Sequence, residues 1–120
     1  MITIAVVEDS PSEMSLMTNY LQEAGYNVMA LSDSKEALQK ITQQQPNVVI
    51  TDVVMPGVSG FELCRSLKKN PETEKIPVIA CTSKNQELDR LWGMKQGVDF
   101  YITKPYSREE ILRAVKSVIL

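Results

Sequence analysis

Four places in this 120-residue chain put chemically capable side chains directly after short apolar runs: Glu8-Asp9, Asp52, Thr82-Ser83 and Thr103-Lys104-Pro105. If those runs are neighbouring strands, three carboxylates, an ammonium and several hydroxyls meet at one end of a sheet. Three carboxylates within a few ångströms repel one another unless a cation stands between them. Lys104 offsets one charge. The remainder suits a hard divalent ion, and Mg²⁺ is the common choice where one or two carboxylates, waters and a phosphoryl oxygen share the coordination shell. A single acid at a strand end is ordinarily a solvated loop residue. Acids and a lysine at converging strand ends point to a functional site.

The rest of the composition narrows the chemistry. The chain has no histidine, which excludes serine-protease triads, Cys/His nucleophile pairs, imidazole bases and zinc fingers. Cys64 and Cys81 form no CxxC pair and sit among apolar residues, so both read as reduced core residues. No GxxxxGK[ST] loop is present, and Gly57-Val58-Ser59-Gly60 lacks GxGxxG spacing, which argues against a nucleotide cradle. With 13 basic and 15 acidic residues interspersed, the chain shows no basic patch for nucleic acid. Its apolar runs are far shorter than the roughly 20 residues of a membrane helix, and Met1 opens no signal peptide. The expected location is the cytoplasm, with no nucleic acid and no membrane as partner.

The positioning elements follow from periodicity. Strand-like runs at Ile2–Val7, Val28–Leu31, Val48–Thr51, Pro77–Cys81 and Phe100–Thr103 alternate with helix-period segments. Met14, Met17, Leu21 and Ala24 mark the first helix, and Ala37, Leu38 and Ile41 line a second over Ser34–Gln44. Phe61, Cys64 and Leu67 line the third; Leu88, Leu91 and Trp92 mark the fourth; Ile111, Val115 and Val118 face inward from the fifth. Starts are signed by Ser10-x-x-Glu13, Asp33-x-x-Glu36, Ser59-x-x-Glu62, Ser83-x-x-Gln86 and Ser107-x-x-Glu110, all at capping-box spacing. Gly60 is read as permitting a tight entry into the third helix. Strands that are apolar throughout imply a parallel sheet covered on both faces. The expected architecture is a doubly wound (βα)₅ flavodoxin-like fold of strand order 2-1-3-4-5, one domain over residues 1–120 that leaves no residues for an output domain. Its ligand crevice would lie beyond the carboxyl ends of strands 1 and 3.

Over its whole length the pattern resembles the CheY-like receiver domain of two-component response regulators. The resemblance rests on Glu8-Asp9, on Asp52 in Asp52-Val-Val-Met-Pro-Gly-Val-Ser-Gly60, on Thr82, and on Tyr101-Ile-Thr-Lys104-Pro105. Asp9-Ser-Pro-Ser-Glu-Met14 and Leu91-Trp-Gly-Met-Lys-Gln-Gly97 are similar to the stand-alone, PilH-like receivers of twitching-motility and phototaxis systems. The resemblance implies that Asp52 accepts a phosphoryl group from a kinase phosphohistidine. It implies Mg²⁺ held by Asp9 and Asp52, by Glu8 through water, and by the backbone carbonyl of Val54. Lys104 would neutralise charge. Thr82 would hydrogen-bond the phosphoryl group, with Tyr101 swinging inward behind it and small Ser83 leaving access for the donor. A cis bond before Pro105 would aim the ammonium inward. Val54 and Lys84 fall where the family tunes phosphoryl lifetime, and Glu8 and Tyr106 stand where Asp and Phe are commoner.

The implied partners are a sensor histidine kinase of CheA-like type and a downstream motility protein, with a homodimer through the fourth helix, fifth strand and fifth helix as a further expectation. Two other readings are open: a phosphate sink for another receiver, and an aspartyl phosphatase or phosphotransferase. The latter class usually carries an acid two residues after its nucleophile, where this chain has Val54.

Overall fold

The computed structural model describes residues 1–83 and 87–119. Strands β1 (Thr3–Val7), β2 (Asn27–Leu31), β3 (Val48–Thr51), β4 (Val78–Thr82) and β5 (Phe100–Thr103) alternate with helices α1 (Pro11–Glu23), α2 (Ser34–Gln44), α3 (Gly60–Lys69), α4 (Glu87–Lys95) and α5 (Arg108–Val118). All pairings are parallel, in the order β2-β1-β3-β4-β5. The expected topology is the one observed. The helix start at Ser83 runs into residues 84–86 and, like Lys84, lies outside the described residues.

Alternation along each central strand divides the core into two layers. Ile4, Val6, Val48, Ile50, Ile79, Cys81 and Ile102 point towards Met17 and Leu21 of α1 and Ile111, Ala114 and Val115 of α5. Ala5, Val7, Val49, Val78, Ala80 and Tyr101 point the other way, towards Ala37 and Ile41 of α2 and Leu63, Cys64 and Leu67 of α3. Both cysteines are free and buried, one in each layer. Burial on both faces is why the central strands read as continuous apolar runs. The edge strand β2 is only partly covered.

The helix starts follow from their caps. Ser10, Ser59 and Ser107 accept from the N–H three residues on, at Glu13, Glu62 and Glu110, and Asp33 accepts from Lys35. At Ser107 the reciprocal bond from its own N–H to the Glu110 carboxylate completes the capping box. Two details differ from the periodicity. Ala24 is the exposed cap residue beyond α1 rather than part of its buried face. On α4 only Gly93 is buried, whereas Leu88, Leu91, Trp92 and Met94 face solvent. That helix is recognisable by its period, but its apolar stripe does not enter the core.

Candidate active site

The sheet ladder continues one residue past three strands, and this places the site. The Glu8 N–H donates to the Leu31 carbonyl (3.1 Å), Asp52 N–H to Val7 (3.0 Å) and Lys104 N–H to Thr82 (2.8 Å). Each charged residue is therefore fixed by a main-chain bond to the neighbouring strand, at the carboxyl edge where the strand order reverses. Thr51 Oγ1 donates to the Asp52 carbonyl (2.9 Å), and the Val53 N–H donates to Asp52 Oδ1 (2.7 Å). Oδ1 is thereby held by backbone, leaving Oδ2 turned to Lys104. Gly60 begins α3 directly against this segment: its N–H donates to Val53 O at 2.9 Å, and a Cβ would run into the Asp52 carbonyl. Only glycine permits that approach.

Lys104 Nζ meets three carboxylates: Glu13 Oε1 at 2.8 Å, Glu8 Oε1 at 3.1 Å and Asp52 Oδ2 at 3.3 Å. Carboxylate oxygens of Glu8, Glu13 and Asp52 lie within 4.8 Å of one another. Burial drives the Glu8 carboxyl above the usual carboxylate range, although the Ser10 N–H and Lys104 pull the other way. Burial alone would lower the Lys104 ammonium, but hydrogen bonds to Glu13 and Glu8, with the charge of Asp52, outweigh it and raise it. Lys104 is accordingly a permanent cation. Three carboxylates against one ammonium leave a formal charge of −2, which draws a hard divalent ion to oxygen donors at this edge of the sheet.

The geometry brings Glu8, Asp52 and Lys104 together as the sequence suggests and sets Asp9 slightly apart. Asp9 is exposed and lines an adjoining crevice with Ser32, Asp33, Lys35 and Pro56. An open cleft of about 450 Å³ fronts Asp52, with Val54, Ser83, Pro105 and Tyr106 along its walls. Val54 is exposed there, and the Lys104–Pro105 peptide bond is cis. Thr82 is buried at the end of β4. Tyr101 is buried too, its ring facing the Arg90 guanidinium at 5.1 Å and lying beside Gly93.

Glu13 is the residue that sequence reasoning missed. Capping-box spacing predicts only a role at the helix start, with its carboxylate turned back to the Ser10 N–H. That N–H instead donates to Glu8 Oε2 (3.1 Å), which frees the Glu13 carboxylate for Lys104. The available signal was its place in the first turn of a helix separated from β1 by only three residues.

An acidic cluster and a lysine at the switch point of a sheet of this order suit a module that accepts a phosphoryl group with the help of a divalent ion. The family model of the response regulator receiver domain matches residues 4–116, and the chain belongs to that family. It is 40% identical over 119 residues to Protein PilH of Pseudomonas aeruginosa, covering 99% of this chain and 98% of that protein. It is 38% identical over 116 residues to the phosphate regulon transcriptional regulatory protein PhoB of Rhizobium meliloti, covering 97% of this chain but 51% of PhoB. Among solved structures it superposes on the Vibrio cholerae chemotaxis protein CheY4 with a TM-score of 0.93 at 28% identity, over 99% of both chains. The receiver domain of the Pseudomonas aeruginosa sensor histidine kinase PA1611, solved with magnesium coordinated in its active-site cleft, matches with a TM-score of 0.89 at 25% identity, over 97% of this chain and 95% of that one. No helix among the described residues is long and apolar enough to cross a membrane.

Proposed function

We infer that Asp52 is the phosphoacceptor of a cytoplasmic response regulator that signals by phosphorylation-controlled protein contact in a motility pathway: type IV pilus twitching, phototaxis or chemotaxis. The observation that carries this is Asp52 itself. One carboxylate oxygen is pinned by backbone, while the other faces Lys104 at 3.3 Å and opens on the cleft.

In the transfer, an Asp52 oxygen bonds to phosphorus as the phosphorus–nitrogen bond of a sensor kinase's phosphohistidine breaks. The imidazole leaves with the electron pair and takes up a proton. Such a reaction needs chiefly positioning and charge neutralisation. Lys104 supplies a fixed cation. Mg²⁺ would be held by Asp52 and Asp9, by Glu8 through water and by the Val54 carbonyl, and when bound it neutralises the phosphoryl oxygens. Thr82, at the end of β4, would hydrogen-bond the phosphoryl group beside Ser83, and inward Tyr101 would transmit occupancy to the surface of α4, β5 and α5. The similarity to PilH over 119 residues and to the chemotaxis protein CheY4 supports the motility assignment.

Acetyl phosphate with Mg²⁺ is expected to add one alkali-labile, hydroxylamine-labile phosphoryl group to the wild type and none to Asp52→Asn, measured by intact-protein mass spectrometry. Equal labelling of the two proteins overturns the assignment.

A further inference from the structure

We propose that Glu13 is a positioning residue that clamps Lys104 in the unphosphorylated protein and must release it before a phosphoryl group can be held. The proposal rests on reading Asp52 as the phosphoacceptor.

An ammonium has three N–H donors. Lys104 faces three carboxylates at hydrogen-bonding distance, Glu13 being the nearest at 2.8 Å. A phosphoryl oxygen can reach this ammonium only by displacing one of them. The three are not equally easy to displace. The side chains of Glu8 and Asp52 are 8% and 11% exposed, and each also accepts a backbone N–H, from Ser10 and Val53 respectively. Glu13 is 40% exposed and stands on the wall of the cleft that opens onto Asp52. Water can rehydrate its carboxylate as it leaves, so its departure costs least.

Its charge acts in the same direction. A carboxylate beside the Asp52 oxygens repels an incoming phosphodonor, and it occupies the cation that the donor's oxygens need. Glu13 thus occupies the site's cation at rest and raises the threshold for phosphorylation. Neutralising Glu13 while keeping its shape leaves Lys104 available in advance. The Ser10 hydroxyl caps the Glu13 backbone N–H rather than its side chain, so Gln at this position preserves the helix start.

The test uses the full chain as wild type, Glu13→Gln and Asp52→Asn. Initial labelling by sub-saturating acetyl phosphate at fixed Mg²⁺ is expected to run about three- to fivefold faster in Glu13→Gln at low salt, the range of a partly exposed ion pair. The ratio should narrow as salt is added. In ¹⁵N NMR of the unphosphorylated protein, the Lys104 ammonium should exchange its hydrogens with water faster in the variant. Calorimetric Mg²⁺ affinity should fall by no more than about fivefold, the effect of losing one nearby partly exposed charge. Equal or slower labelling overturns the clamp, as does an unchanged Lys104 signal. A larger loss of Mg²⁺ affinity also overturns it, by making Glu13 a metal ligand. The two assignments fail separately: label persisting in Asp52→Asn removes the phosphoacceptor reading, whereas its loss there with no acceleration in Glu13→Gln removes only the clamp.

Discussion

The last two helices of the chain, α4 and α5, are built on opposite terms. On α5, Ile111, Ala114 and Val115 are fully buried against β1, β3, β4 and α1. On α4, Leu88 is 76% exposed and Trp92 54%, and the one buried residue is Gly93. Both helices carry apolar residues at helical spacing, but only one spends them on the core. The reason lies in the third helix. A Cβ on Gly93 would lie 3.0 Å from the Phe61 ring, so α4 makes its close approach through glycine while its large side chains turn outward. Both faces of the sheet are covered by buried clusters, whereas α4 buries only Gly93 and is left with little holding it in place. A segment so lightly packed can be repositioned at low cost, which suits the surface that must respond to Asp52.

The largest effect expected is the one that breaks this contrast outright. Leu21→Ala, in the α1 and α5 layer, should cost about 2–5 kcal/mol in urea unfolding, the range for a fully buried leucine that leaves a cavity. Trp92→Ala removes a larger side chain from a half-exposed site and should cost less than about 1 kcal/mol. Similar losses in the two variants would mean that α4 contributes to the core as much as α1 does.

The same contrast explains how far the sequence could be read. Strand order, the helix over Ser34–Gln44 and the meeting of Glu8, Asp52 and Lys104 are legible because they depend on backbone periodicity and on residues locked to strand ends by ladder bonds. What escaped depends on side-chain direction. Periodicity cannot distinguish an apolar stripe facing the core from one facing water, as on α4. Nor can spacing decide whether Glu13 turns back to Ser10 or forward to Lys104, because the competing acceptor, Glu8, belongs to a different element. Asp9 shows the same limit: adjacent residues at a strand end point to different sides, so Glu8 and Asp9 enter different crevices.

A smaller effect sharpens the comparison by asking whether the looseness of α4 reaches the core beneath. Burial pushes the Cys64 thiol up to about 11 and Cys81 up to about 12, from an ordinary value of 9.0. A thiol raised on folding adds stability fully present below its unfolded value, and this is lost as pH climbs towards the folded value. Between pH 8 and pH 10 each thiol should therefore cost the fold about 1.3 kcal/mol. Cys64→Ala and Cys81→Ala should each remove that share of the alkaline loss, measured as the difference in unfolding free energy between the two pH values. An equal share from both would place the α2 and α3 layer on the same dry footing as its opposite. A share confined to Cys81 would show that water reaches Cys64, and the exposed character of α4 would then extend to the core below.

The smallest effect concerns the contacts that Arg90 of α4 makes with β5. The Arg90 guanidinium lies over the Tyr101 ring at 5.1 Å and donates to Thr103 Oγ1 at 3.1 Å. Arg90 is exposed, so the cation–π contact is worth about 0.5–1 kcal/mol. Burial raises the Tyr101 phenol above its ordinary value and the charge of Asp89 adds to this, while Arg90 acts against both. Arg90→Gln should therefore drive the Tyr101 phenol further up, read by ultraviolet titration against a Tyr101→Phe control, with at most about 1 kcal/mol lost in urea unfolding. Burial beside Gly93, rather than the guanidinium, then holds the ring inward. If Arg90→Gln instead returned Tyr101 to the ordinary titration of an exposed tyrosine, the ring would have left its pocket. The grip of α4 on β5 would then reside in this single cation and not in the packing around Gly93.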